Sequence, residues 1–295
     1  MLLFRKNMRE QLVKTIIKLL RKDKRLVLLL GDIGVYGFQQ AFKDFPDRVY
    51  NIGILEQATV SLAAGLAKTG LIPVFYSIAP FIAERALEQL KIDFGYQQLR
   101  GNFVSVGGSY DYAALGATHQ CPGDVGILKQ IPGMKIMVPG TAEEFDRLFR
   151  EVYCLPGPHY FRLSESVNKV SFPVKFGCLK VIKKGKKATV LAVGPILDKV
   201  LEACRGLDVA VIYCTTAAPM DKYNQSNKLL ICEPYYSGAL TAEILQAFYP
   251  RPMIIDQLGV PNQFLKHYGQ KEEQDKLLGL TAKAINQRLR RLIND

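Results

Sequence analysis

No stretch of this chain approaches the ~18 consecutive apolar residues that a membrane-spanning helix needs. The opening segment, MLLFRKNMREQLVKTIIKLLRKDKR, interleaves its apolar residues with charges and is followed by no small-residue cleavage site. It therefore does not read as a secretory signal peptide. The six cysteines (121, 154, 178, 204, 214, 232) form neither a C-x-x-C pair nor a zinc-ligand spacing. Scattered thiols of this kind suit a reducing cytoplasm, which is the expected location. Three histidines in all leave little room for a histidine-based metal site, and none is expected. No Ser-His-Asp or Cys-His arrangement can be assembled. GDIGVYG at 31–37 fails the G-x-G-x-x-G dinucleotide spacing.

What is present is basic. The formal net charge is +12, with Lys and Arg gathered at 5–25, 180–187 and 283–291. None of these stretches carries interleaved aromatics or a nucleic-acid motif, so no nucleic-acid partner is expected. A solvated surface, or attraction to an acidic partner or an anionic substrate, accounts for the charge.

Strand and helix patterns alternate. Apolar runs at 25–32, 48–54, 71–78, 102–108, 135–139 and 159–164 read as strands. Between them, 56–68, 80–94, 123–131 and 141–154 read as helices, the last capped by Thr141. An amphipathic helix from Arg9 to about Leu20 precedes them, with Leu12, Ile16, Ile17 and Leu20 on one face. Residues 165–187 have little helix signal and end in KKGKK. Strands at 188–194, 209–214, 229–234 and 252–259, with helices at 195–204 and 238–248, form a second, smaller unit. Such alternation predicts two α/β units, each with a parallel sheet covered by helices. The expected boundaries are 1–165, a linker at 166–186, and 187–295.

Two features sit where α/β chemistry is usually found, at the carboxyl ends of strands. Within NIGILEQATVSLAAGLA, Glu56 is the one charged residue, and the run offers no Lys, Arg or His to pair with it. Either Glu56 caps the helix that begins there, or its surroundings come from outside the chain. GATHQ places His119 in a Gly-rich loop, although a lone histidine is more often structural than catalytic.

Taken together, NIGILEQATVSLAAGLAKTG, FYSIAPFIAERALEQLK, ALGATHQCPGDVGILKQIPGMKIMVPGTAEEF and GPHYFRLS resemble the pyrimidine-binding domain of transketolases, in that family's order. Residues 188–295 resemble its carboxyl-terminal domain. The resemblance implies the thiamine-diphosphate pyrimidine-binding fold followed by a transketolase C-terminal-like domain. It also implies a thiamine-diphosphate-dependent transferase passing a two-carbon ketol unit from a ketose to an aldose. In that family a glutamate matching Glu56 meets a ring nitrogen of the cofactor's aminopyrimidine and favours its imino tautomer. The cofactor carries the hard chemistry, and the protein positions it. By the same resemblance Phe81 stacks on the pyrimidine, Asp32 lies near the cofactor and His119 contacts substrate.

The G-D-G motif and the Asn pair that hold the diphosphate and its Mg2+ or Ca2+ in this family are not found here. The resemblance is thus to the second half of a split transketolase. It implies a separate amino-terminal subunit supplying metal ligands and diphosphate contacts, in a homodimer or heterotetramer, with the apolar surface around Glu56 as the interface. At the substrate end the match departs. An acidic family residue aligns with Leu115, and phosphate-gripping Arg, His and Ser align with Glu165, Gly107 and Tyr36; a second phosphate arginine is kept as Arg5. A carboxylate in place of a guanidinium repels phosphate, which makes a non-phosphorylated or nucleotide-linked sugar attractive. The beta subunit of a 2-oxo acid dehydrogenase-type decarboxylase, deoxyxylulose-phosphate synthase and a non-catalytic binding subunit remain as alternatives.

Overall fold

The computed structural model describes residues 7–219, 226–250 and 252–294. Arg5 lies outside them. The chain opens with α1 (Met8–Lys22), whose Asn7 side chain accepts from Arg9 N at 2.8 Å and whose Met8, Leu12, Ile16, Leu19 and Leu20 are buried. A side-chain oxygen before the first turn and apolar residues three and four apart are what such a helix needs.

Six parallel strands follow: β1 (Leu26–Leu30), β2 (Val49–Asn51), β3 (Ile72–Ile78), β4 (Gly101–Val106), β5 (Lys135–Met137) and β6 (Pro158–Arg162). Every residue of β1, β4 and β6 is buried, as expected for strands covered on both faces. The connecting helices are α2 (Gln39–Asp44), α3 (Glu56–Lys68), α4 (Ala79–Ala83), α5 (Leu87–Gln89), α6 (Asp124–Leu128) and α7 (Ala142–Val152). Thr141 Oγ1 accepts from Glu144 N at 3.2 Å to cap α7.

The second sheet holds β7 (Lys180–Lys183), β8 (Ala188–Val193), β9 (Val209–Cys214), β11 (Lys228–Tyr236) and β12 (Ile254–Val260), in the order β12-β11-β8-β9-β7. Helices α8 (Leu197–Ala203), α9 (Thr241–Phe248), α10 (Lys271–Leu277) and α11 (Ala282–Asn294) belong to this half of the chain. One strand crosses over. β10 (Thr216–Ala218) leaves the second unit and pairs antiparallel with β5, so the first sheet runs β10-β5-β6-β4-β3-β1-β2.

Two α/β units with mostly parallel sheets agree with the sequence pattern. Both antiparallel edges, β10 on β5 and β7 on β9, depart from it. Residues 180–183, inside the stretch expected to be a linker, form β7. The single helix expected at 80–94 is broken at Glu84–Ala86. After α5 it continues as a π-helical turn, Leu90–Tyr96, in a region where Gly95 sits so close to Ile131 that a Cβ would lie 2.4 Å from its Cγ2. Helices α10 and α11 have no counterpart among the expected elements.

A fully buried ion pair joins the two units. Arg162 Nε donates to Asp124 Oδ2 at 2.7 Å, with exposures of 1% and 0%. Asp124 Oδ2 also accepts from Tyr160 OH at 2.9 Å, and Tyr160 accepts from Ser105 Oγ at 2.7 Å. The guanidinium reaches Ser109 Oγ at 2.7 Å and the Pro234 carbonyl at 3.5 Å, and lies 5.6 Å from the Tyr235 ring centroid. Removing one partner of such a pair leaves an uncompensated buried charge, at a cost of about 3–5 kcal/mol. Asp124→Asn should therefore destabilise the fold by that order. The Asp124→Leu/Arg162→Met double variant should be markedly less destabilised than the sum of its singles. Additive losses in unfolding titrations would show that the pair carries no coupling.

Candidate functional site

The parallel strands of the first sheet all deliver their carboxyl ends to one rim. There Glu56 opens α3 just after β2, Phe81 lies in α4 after β3, His119 sits in the loop after β4, and Glu165 follows β6. Glu56 is 1% exposed. Its counter-ion is in the chain: Arg85 Nη1 donates to Glu56 Oε2 at 2.8 Å. This corrects the choice offered by the sequence, because the cation comes from the break between α4 and α5, 29 residues downstream. Leu55, the residue before α3, makes no side-chain cap. The other carboxylate oxygen, Glu56 Oε1, is buried with no hydrogen-bond partner among the described residues.

Phe81 and His119 extend this cluster. The Arg85 guanidinium lies 4.1 Å from the Phe81 ring centroid. Phe81 in turn meets His119 edge to face, centroids 5.5 Å apart and planes at 66°. Thr118 Oγ1 is 2.9 Å from His119 Nδ1, a contact whose donor depends on the imidazole tautomer. Glu84 accepts from Cys121 Sγ at 3.4 Å, and burial raises its carboxyl pKa. A buried acceptor without a donor, beside an aromatic face, is matched to a flat heteroaromatic ring bearing an N–H. The aminopyrimidine of thiamine diphosphate is such a ring, so the residues present fit it.

Asp32 stands apart from this cluster. It is exposed, at φ +56, and exchanges hydrogen bonds with Asn51: Asp32 N to Asn51 Oδ1 and Asn51 Nδ2 to Asp32 Oδ1, both 3.0 Å. The pair ties the ends of β1 and β2. Among the described residues, no group of three or more His, Cys, Asp or Glu side chains could hold a metal ion.

Glu165 occupies the far end of the rim and is exposed. Burial, then Asp111, raises its pKa, while Arg9 and Lys271 pull it down. Arg9, at the start of α1, faces Tyr76, Tyr112 and Glu165. The sequence places Arg9 on a helix and gives no sign of this second role. Gly107, at φ +75, has no room for a side chain, because a Cβ there would lie 2.3 Å from the Tyr112 ring. Tyr36 is 85% exposed and Leu115 53%. Arg85, Arg9 and Tyr112 join the candidate site by their contacts, and sequence reasoning misses them. Their one-dimensional signal is weak, since each acts on a residue distant in the chain.

Around the Glu56 end the surface is apolar and uncovered. Ile54 (64%), Leu55 (58%), Leu62 (45%), Ile92 (46%) and Tyr96 (84%) are exposed on α3, its approach and the π-helical turn. Ser61 Oγ, donating to Asp93 Oδ2 at 2.6 Å, ties the two segments.

The two sheet orders define a pair of α/β units, the first with a buried carboxylate linked through Arg85 to an aromatic ring at its carboxyl rim. The family described as "Transketolase, pyrimidine binding domain" matches residues 5–169. The chain belongs to the transketolase family. It is 36% identical over 277 residues to an uncharacterized 33.6 kDa protein in the fasciation locus of Rhodococcoides fascians, covering 90% of this chain and 88% of that one. Identity to an apulose-4-phosphate transketolase subunit of Actinobacillus succinogenes is 27% over 262 residues, covering 82% and 84%. A solved structure described as a split gene transketolase, inactive beta4 tetramer, superposes with a TM-score of 0.84 at 26% identity, over 98% of this chain and 99% of that one. The chain spans 48% of a 1-deoxy-D-xylulose-5-phosphate synthase from Halalkalibacterium halodurans, at 26% identity over 95% of its own length.

If Glu56 accepts a cofactor proton, Glu56→Gln keeps its shape and removes the charge. Turnover of the assembled enzyme should fall by about 100-fold or more, the scale of general acid–base effects, with subunit assembly little changed. Steady-state kinetics beside size-exclusion profiles would check this, and full activity would return Glu56 to a purely structural role.

Proposed function

We propose that this chain is the carboxyl-terminal subunit of a split, thiamine-diphosphate-dependent transketolase-type enzyme. It works with a separate amino-terminal subunit that supplies the diphosphate and Mg2+ or Ca2+ contacts. The observation that carries the reading is the buried, unpartnered Glu56 Oε1, joined through Arg85 to the Phe81–His119 ring pair. When bound, the cofactor supplies the carbon nucleophile and electron sink for moving a two-carbon ketol unit from a ketose to an aldose. In this chain, Glu56 accepts from a ring N–H at its unpartnered oxygen, Arg85 fixes the other oxygen, and Phe81 offers a ring face. His119 donates to or accepts from a sugar hydroxyl or carbonyl.

The partner reading draws on two things. One is the apolar face at Ile54, Leu55, Leu62, Ile92 and Tyr96, whose character favours a protein neighbour. The other is the relatives' descriptions, one naming a transketolase subunit and one an inactive tetramer of beta chains. Calorimetric titration with thiamine diphosphate and magnesium should show no micromolar binding to this chain alone, and binding once the amino-terminal subunit is added. Magnesium-dependent micromolar binding by the isolated chain would overturn the split-subunit reading.

The acceptor, on this reading, lacks a terminal phosphate. Glu165 sets a carboxylate at the mouth of the cavity it lines, and near the protein surface like charges at close range repel by about 1 kcal/mol or somewhat more. The ratio of kcat/KM for ribose 5-phosphate to that for ribose should be below one in the wild type. Glu165→Arg should raise it by about tenfold or more, the ~1.4 kcal/mol that reversing one charge readily supplies. Strong wild-type preference for ribose 5-phosphate would sink this assignment.

A further inference from the structure

The far end of the rim is closed by the carboxyl-terminal unit. A cavity of about 360 Å³ lies between residues 111–115, Glu165 and Ser166 on one side and Gly269, Gln270, Lys271 and Glu272 on the other. Its volume falls in the range of about 300–1,000 Å³ typical of small-molecule sites. Glu165, Ser166, Lys271 and Glu272 also line a second cavity of about 490 Å³, which runs on toward Lys199 and Asp275.

Lys271 is the joint between the two walls. Its Nζ donates to Asp111 Oδ1 at 2.6 Å and lies 4.5 Å from the Tyr110 ring centroid. The same Asp111 Oδ1 accepts from Ser164 Oγ at 3.1 Å, and Asp111 Oδ2 accepts from Glu165 N at 3.0 Å. An ammonium from the second unit therefore fixes the carboxylate that fixes Glu165. Lys271 retains donors beyond the one spent on Asp111, since an ammonium carries three.

The cavity carries no excess of positive charge. Asp111, Glu165 and Glu272 line it against Lys271, with Arg9 facing Glu165. A dianion gains little among an excess of carboxylates. An uncharged polyhydroxyl chain finds one charged donor, Lys271, among carboxylate acceptors, each a charge-assisted partner. We infer that Lys271, from the carboxyl-terminal unit, is a specificity-determining residue of the substrate pocket. It donates to a hydroxyl at the distal end of an uncharged aldose while Glu165 and Glu272 accept from neighbouring hydroxyls. This inference rests on the proposed ketol-transfer reading for the origin of the sugar, but its test needs neither cofactor nor partner subunit.

The test is an amide chemical-shift titration of the full chain with ribose, ribose 5-phosphate and inorganic phosphate. Ribose should shift the amides of Glu165, Gly269 and Lys271 with an affinity in the millimolar range, and inorganic phosphate should not. Lys271→Met should weaken ribose binding by about fivefold or more, the loss of one charged hydrogen bond. Lys271→Arg, which keeps a cation able to reach Asp111, should stay within about threefold of the wild type. Absent shifts at these amides, unchanged affinity in Lys271→Met, or tighter binding of either phosphate compound would overturn the assignment. Sugar binding here with no turnover in the reconstituted enzyme would reject the ketol-transfer reading and leave the pocket standing. Turnover with no binding here would do the reverse.

Discussion

The buried pair of Arg162 and Asp124 is the constraint on which the site depends. Through it the end of β6, the start of α6, the loop after β4 and the second unit are held by a single group. Its walls are tight: a Cβ on Gly108 would lie 2.6 Å from the Arg162 guanidinium carbon. Burying two ions is favourable only when nearly every donor and acceptor is matched. Tyr160, Ser109 and the Pro234 carbonyl do that matching, and Asp124 Oδ1 and the neighbouring Tyr235 OH lack a partner among the described residues. The consequence reaches the rim. Ser109, held by Arg162, pairs with Cys121 through Ser109 N to Cys121 O at 3.2 Å and Cys121 N to Ser109 O at 2.8 Å. That pairing closes the base of the loop carrying His119. The position of a candidate substrate contact is thus set by a salt bridge that touches no substrate.

Much of this is legible in the sequence. LVLLL is a continuous apolar run and NFVSV is rich in Val and Phe, and each strand sits within a residue or two of where the pattern puts it. Helix α7 announces itself by Thr141 and its apolar stripe. What the pattern misses shares a physical cause. β10 is three residues long and is a strand only because β5 offers it an edge. The break at Glu84–Ala86, from which Arg85 reaches Glu56, is a tertiary feature that no local propensity encodes. α11 reads as basic charge, although Ile285, Leu289 and Leu292 face inward beneath that charge.

The site divides along the same line. Glu56 and His119 stand out because one charged residue in an apolar run, and one imidazole in a Gly-rich loop, are visible one residue at a time. Phe81 is visible only through the family resemblance. Their connection is not visible at all. Arg85 pairs with Glu56 across 29 residues, and Lys271 with Asp111 across 160. Such links exist only once the strands have set their helices side by side. At one end of the rim a carboxylate is left half-satisfied, and at the other a carboxylate is faced by two cations. One protein surface thereby offers two chemically distinct ends to whatever lies between them.

The crossing strand β10 has a bearing on how this chain can be dissected. Residues 216–218 complete a sheet whose other strands all precede residue 163. Nearby, Glu144 accepts from Tyr213 OH at 2.7 Å and from Phe172 N at 3.0 Å, so α7 is stitched to the second unit as well. A fragment ending after β6 would expose the backbone of β5 as an open edge, a template for pairing with another molecule. It would also strand a buried glutamate without these two donors. Although the chain contains two sheets, it has no clean place to be cut between them. Recombining its amino-terminal part with a foreign carboxyl-terminal part would require carrying this short strand along as a graft.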